Sequence, residues 1–274
     1  MSVAARPLED DVARLRDAVA RAGAAVLKRF RAEDAEAEQK ADGSPVSDAD
    51  YEANDILREG LTERGDGYGW LSEETEDDLD RLGAERTWIV DPIDGTRAFL
   101  GGKPHFTVCA ALVEDGHALA SAVFNPATDE FFDAVRGQGA RCNGEAISAS
   151  TACDLEGCRM LGPRRMFEHP GWPAAWPPMA LGSRNSTAYR MTLVGAGGFD
   201  AALALTSKAD WDVAPGALIA QEAGARATDH HGRPFRYAAR HPWQRALVCA
   251  APSLYPRLLE RLAHLPGDLS AVRP

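Results

Sequence analysis

Residues 88–100 read WIVDPIDGTRAFL. Two carboxylates, Asp91 and Asp94, stand three positions apart with Pro92 and Ile93 between them, and Gly95 and Thr96 follow. The apolar run Trp88-Ile89-Val90 reads as a strand end, and a proline cannot continue a sheet ladder. Both carboxylates then point into a turn, where they repel each other unless something positive lies between them. Hard divalent cations prefer such oxygen ligands. Gly95 and Thr96 fall where a helix could begin, with backbone N–H groups free to hold a phosphate oxygen. The chemistry suggested is a metal beside a phosphate. An ordinary solvated turn explains the same residue types, because Asp, Pro and Gly are common turn residues.

Two further segments favour the metal. GWLSEETEDD places Glu73 and Glu74 directly after a short apolar strand, and ADWDVAPGA places Asp212 at the start of a helix that tolerates Pro215 in its first turn. Asp212 alone reads equally well as a favourable charge at a helix N-terminus. Two hard cations shared among Glu73, Asp91, Asp94 and Asp212 suit the whole acidic inventory. No Cys or Ser nucleophile motif is present, so direct attack by water is the economical reaction.

The elements that must hold these groups follow from the apolar pattern. Val12, Leu15, Val19, Val26, Leu27 and Phe30 predict an amphipathic helix over 8–31, and a charged run and KADGSPV predict a loop over 32–46. A second helix starts near Ser47, with Asp48 and Asp50 in its first turn, and should bury Tyr51, Ile56, Leu57 and Leu61. YGWLS and TWIVD read as strands. FTVCAALV, ALASAVFN and EFFDAV read as antiparallel hairpins, with RGQGARCNGEAI continuing the meander. Residues 150–180, which include HPGWPAAWPPM, are too rich in proline for regular structure and mark a boundary or insertion. Trp172 and Trp176 there could cover a site mouth or anchor a loop. Helices and strands then alternate: NSTAYRMTLVGAG, FDAALAL, DVAPGALIAQEAG, ARATD, RALVCAA and a last helix from about 253. His105 could border the site but reads better as a strand-edge residue, and His230 and His231 as surface residues in a turn.

Composition narrows the partners. The 274 residues are 45% apolar, enough for a sizeable core in one large or two smaller domains. A formal charge of -11 excludes a nucleic-acid polymer, which needs a basic stripe. Five cysteines without a C-x-x-C pair suggest buried thiols in a reducing compartment. No stretch approaches the ~20 apolar residues of a membrane span, so a cytoplasmic protein is expected.

In this order and at these separations, GWLSEE, WIVDPIDGT and WDVAPG resemble the three motifs of the inositol monophosphatase superfamily of metal-dependent phosphatases. The resemblance runs from KADGSPVSDAD near residue 40 to EAGARATDHHGRPF near 235. It implies a layered α/β (α+β) fold, a sugar-phosphatase-like αβαβα sandwich with a mixed sheet in each half. Residues 1–150 would carry most metal ligands and residues 151–274 would complete the site. The resemblance also implies Mg2+, two or three ions per site, held by Glu73, Asp91, Asp94, the Ile93 carbonyl and Asp212. Thr96 resembles the hydroxyl that orients the attacking water, and Asp50 the acid that positions that threonine. Gly95 and Thr96 would bind phosphate through backbone N–H groups, with Glu74 a second acid beside them. Lys40 resembles a lysine near the metal loop and reads equally as a solvated loop residue. A homodimer acting on a small-molecule phosphomonoester is the implied assembly.

KADGSPVSDADYEAND and GWLSEE look most like the bacterial 3'(2'),5'-bisphosphate nucleotidases, which act on 3'-phosphoadenosine 5'-phosphate. Inositol monophosphatases commonly carry an acid just past a GGxDA strand, where this chain has Ala204, Leu205 and Thr206. An apolar wall suits adenine better than a cyclitol. The alternatives are an inositol-1-monophosphatase, a histidinol-phosphatase, or a non-catalytic phosphate- or metal-binding protein on the same fold.

Overall fold

The spacing of Val12, Leu15, Val19 and Val26 gives α1 (Leu8–Ala32) one buried stripe, and its acidic first turn and basic last turn complement the helix dipole. The computed structural model describes residues 6–32, 35–40, 43–63, 67–263 and 265. The segment expected to be loop forms a short antiparallel hairpin, β1 (Ala37–Gln39) with β2 (Pro45–Ser47). All of β1 is exposed, so no apolar alternation announced it. In α2 (Asp48–Leu61), Leu57 and Leu61 are buried as expected, but Tyr51 is 46% exposed. Tyr51 lies two residues from each of the buried Ala49 and Ala53, and so on the far side of the helix.

A seven-stranded mixed sheet follows, in the order β3 (Gly69–Ser72), β4 (Arg86–Asp94), β5 (Thr107–Glu114), β6 (His117–Asn125), β7 (Glu130–Val135), β8 (Ala140–Cys142) and β9 (Glu145–Ala146). Only β3 and β4 are parallel; the rest is a meander. The strand does not stop at the first aspartate. Pairing of β4 with β5 resumes at Asp94 opposite Thr107 after a register shift beyond Asp91. This is a bulge, one of the few places within a sheet that accept a proline. α3 (Thr96–Leu100) opens directly after it.

Residues 150–180 are less irregular than their prolines suggest, holding β10 (Arg159–Leu161), the one-turn α4 (Arg164–Phe167) and the first residue of β11 (Ala180–Gly182). Then come α5 (Thr187–Gly195), β12 (Ala201–Ala204), β13 (Lys208–Ala209), α6 (Asp210–Glu222), β14 (Arg226–Thr228), β15 (Trp243–Gln244), β16 (Leu247–Ala250) and α7 (Tyr255–Leu262). A second mixed sheet has five strands in the order β11-β10-β12-β16-β14.

Alternation along the strands builds the layers. Trp88, Val90, Val108, Ala110 and Leu112 pack beneath α1 and α2, while Ile89, Cys109, Ala111 and Val113 face α5 and α6. The same middle layer receives Ala202, Leu247 and Cys249 of the second sheet, whose other face packs Leu203 and Val248 against Leu258 and Leu262 of α7. The result is the expected αβαβα sandwich with two mixed sheets. α6, covered on both sides, is apolar nearly all round, and a Cβ at Gly216 would lie 2.6 Å from the Ala188 carbonyl oxygen. Small residues let α5 and α6 approach closely.

Two smaller readings resolve here. Trp172 anchors its loop: its indole N–H donates to the Met166 carbonyl at 2.6 Å, and its ring meets Trp176 edge to face. His230 is buried rather than on the surface, although His231 is exposed. The turn is held against α7, where Thr228 hydrogen-bonds Tyr255 at 2.6 Å. Among the described residues no helix is long and apolar enough to cross a membrane.

Candidate active site

Because β3 and β4 run parallel, their C-terminal ends share one edge of the sheet, which brings the Glu73–Glu74 turn beside Asp91. The Glu73 N–H donates to the Val90 carbonyl at 3.2 Å, and the Ser72 hydroxyl donates to Asn54 of α2 at 2.7 Å, pinning that turn on both sides. Four helix N-termini meet at the same place. Asp50 lies in the first turn of α2, Thr96 opens α3, Ser186 caps α5, and Asp212 lies in the first turn of α6. Their partial positive ends offset some of the acidic repulsion.

Asp91, Asp94 and Asp212 each offer an oxygen, and these atoms lie within 4.8 Å of one another. Asp91 is 1% exposed, and neither of its carboxylate oxygens has a hydrogen-bond partner. Burial, together with the charges of Glu73, Asp94 and Asp212, holds its pKa well above the usual carboxylate range. Asp94 is pushed up to about 7 by burial and by Asp212, although the Ser186 hydroxyl and the Ala188 N–H donate to it at 2.6 and 2.7 Å. Asp212 accepts from the Ala209 N–H at 2.9 Å, which orients it at the start of α6.

Glu73 stands outside that tight group. Lys40 Nζ donates to Glu73 at 2.9 Å and to Glu74 at 2.7 Å, so Lys40 belongs to the site rather than to a solvated loop. Burial works against the Lys40 charge, but the two glutamates outweigh it and raise its pKa. Glu74 is raised to about 7, mainly by burial against the pull of Lys40.

The Thr96 hydroxyl lies 3.2 Å from Asp50 Oδ1 and 3.1 Å from the Ile93 carbonyl oxygen. Asp50 in turn accepts from the Ser47 N–H at 2.8 Å and the Ser47 hydroxyl at 2.6 Å, and burial raises it to about 6. Gly95 has φ +102, and a Cβ there would come within 2.9 Å of the His105 carbonyl oxygen and 3.1 Å of the Ser186 nitrogen. Only glycine fits that approach without strain. His105 thus contributes its backbone, accepting from the Ser186 N–H at 3.2 Å.

Sequence reasoning missed Ser186, which ties α5 to Asp94. A serine before a helical run is a cap signal, but nothing in its sequence position, 92 residues from Asp94, shows which carboxylate it meets. Ala204, Leu205 and Thr206 line a cleft of about 370 Å3. That cleft adjoins the acidic cluster, since Arg97 follows Thr96 and Asn185 precedes Ser186 along its wall.

A buried carboxylate with both oxygens unbonded, grouped with two more, suits a cation, because uncompensated charge in a low-dielectric site is costly. At a strand bulge of an αβαβα sandwich, Asp91, Asp94 and Asp212 form a group that could hold a metal ion. The chain belongs to the inositol monophosphatase family, whose sequence pattern matches residues 8–266. An inositol-1-monophosphatase of Rhizobium meliloti is 36% identical over 224 residues, covering 78% of this chain and 84% of the relative. Nus factor SuhB of Escherichia coli K12 is 30% identical over 226 residues, covering 78% of this chain and 83% of the relative. Among solved structures, an IMPase of Thermotoga maritima matches with a TM-score of 0.78 at 25% identity, covering 93% of this chain and 96% of that one.

Proposed function

We propose that the protein is a magnesium-dependent phosphomonoesterase that hydrolyses a small phosphorylated metabolite by direct attack of water. The water oxygen bonds to phosphorus, the ester P–O bond breaks, and the alcohol leaves with a proton while inorganic phosphate is released. The observation that carries this reading is Asp91, buried with neither oxygen hydrogen-bonded and grouped with Asp94 and Asp212. Two or three magnesium ions held by these residues, Glu73 and the Ile93 carbonyl would neutralise phosphoryl charge and acidify water.

The remaining residues bind and orient. The Gly95 and Thr96 N–H groups hold a phosphate oxygen at the start of α3. The Thr96 hydroxyl, between Asp50 Oδ1 and the Ile93 carbonyl, orients the attacking water. Asp50 positions the Thr96 hydroxyl, and Glu74 is a second acid beside the site, held by Lys40 at 2.7 Å.

For the substrate, the finer reading is 3'-phosphoadenosine 5'-phosphate. The cleft walled by Ala204, Leu205 and Thr206 includes no carboxylate among its lining residues, so a cyclitol would find few hydroxyl acceptors. The second reading, inositol 1-phosphate, is favoured by the name of the Rhizobium meliloti relative. Phosphate release measured with magnesium and after exhaustive chelation tests the chemistry. Activity should vanish on chelation and return with magnesium, and calcium should substitute poorly. Undiminished turnover without metal would end the metal reading. A clear kcat/KM preference for inositol 1-phosphate would overturn only the choice of substrate.

A further inference from the structure

The cleft beside the acidic cluster carries five cationic side chains, Arg97, Arg165, Arg184, Arg190 and Lys208. They come from α3, α4, the loop before α5, α5 itself and β13, so no local charge run explains the grouping. None of the five forms an ion pair among the described residues, in a chain where acids outnumber bases by 41 to 30. Arg190 is buried, and among the described residues its guanidinium donates to the Ser186 carbonyl at 3.3 Å and to the Thr187 hydroxyl at 3.1 Å, both on its own helix. Arg184 has turned one nitrogen onto its own chain, donating to the Ser183 carbonyl at 2.8 Å. Unpaired like charges packed around one cleft repel, and an anion placed among them removes that cost. Guanidinium forks match phosphate oxygens in particular.

From this arrangement we infer that the cleft is a subsite for a second phosphate on the substrate, distinct from the one hydrolysed. The inference rests on the phosphomonoesterase reading and extends it. The acidic cluster with its metals takes the scissile phosphate, Ala204 and Leu205 contact the organic scaffold, and the cations hold the far phosphate. A cleft of about 370 Å3 lies in the size range of small-ligand sites. Arg190 also lies close enough to feel the charges of Asp94 and Asp212, so the two phosphates would bind to adjoining regions of opposite sign.

Two substrate pairs isolate the second phosphate: adenosine 3',5'-bisphosphate against adenosine 3'-monophosphate, and fructose 1,6-bisphosphate against fructose 1-phosphate. At least one bisphosphate should exceed its monophosphate about tenfold or more in kcat/KM, and the pair that does so names the scaffold. The double variant Arg165→Gln/Lys208→Gln leaves the buried Arg190 in place, and it should bring that ratio to within about threefold of one. A second readout needs no turnover. Adenosine 5'-monophosphate titrated calorimetrically into chelator-treated protein should bind, because the metal-free acidic cluster repels an anion and the cationic cleft still attracts it. Its affinity should fall about tenfold in the double variant and on raising salt to ~0.5 M. If no phosphomonoester is hydrolysed but this binding pattern holds, the phosphatase reading fails and the anion subsite stands. Equal kcat/KM within both pairs, or nucleotide binding indifferent to the variant and to salt, would overturn the subsite.

Discussion

At the scale of single residues, the site is a balance between like charges and the few groups that temper them. Asp94 shows the balance most clearly. One of its oxygens takes two hydrogen bonds from the start of α5, while burial and the charge of Asp212 oppose its ionisation. Asp94→Asn keeps the shape, preserves the acceptor for Ser186 and Ala188, and leaves an amide nitrogen for the remaining carboxylates. Repulsion within the metal-free site falls, so the melting temperature of chelated protein should rise by a few degrees. Phosphate release should fall about a hundredfold or more, because a carboxylate of the proposed metal site is lost. A variant with wild-type turnover would remove Asp94 from the proposed metal site.

Elements bring these residues together through their ends. The β4 bulge separates Asp91 from Asp94, and Gly95 then reverses the chain into α3 within van der Waals reach of the loop before β5 and of the α5 cap. Its positive φ and the 2.9 Å approach to the His105 oxygen make this junction intolerant of a side chain. Gly95→Ala should therefore cost on the order of 1–3 kcal/mol. Thermal unfolding is the measurement, and a matching drop in phosphate release should follow as Thr96 is displaced. A variant that melts with the wild type would show that α3 can shift without strain.

Across the whole molecule, the buried acids couple stability to pH and to metal. Asp50, Asp94 and Glu74 have folded pKa values of about 6, 7 and 7, above the ordinary carboxylate values of 3.8 and 4.5. Between about pH 4 and 7 the native state therefore binds more protons than the unfolded chain, and the stability slope with pH is negative. This contribution is fully present below the ordinary values and is lost as pH rises through the raised ones. Metal-free protein should melt on the order of 5 °C higher at pH 5 than at pH 8. Magnesium, which competes with those protons, should raise the melting temperature more at pH 8 than at pH 5. Scanning calorimetry with chelator and with magnesium checks both signs; a metal-induced shift larger at pH 5 would contradict the linkage.

Sequence alone determined what is local. Helix periodicity placed α1, a cap at Ser47 placed α2, apolar runs between turns placed the meander, and the two carboxylates around Pro92 suggested a cation that Glu73 and Asp212 could share. Those signals depend on neighbours in the chain, where propensity and repulsion act directly. Tertiary structure decided the rest. The exposed strand β1 and the buried His230 carry no apolar pattern of their own, because packing against distant elements sets their state. Lys40 reaches its glutamates across 33 and 34 residues, and Ser186 reaches Asp94 across 92. The five cations of the cleft span positions 97 to 208 and look unrelated in the chain. Charges so far apart in sequence become one electrostatic site only when the sandwich closes, since their fields add over a few ångströms of space and not along the chain.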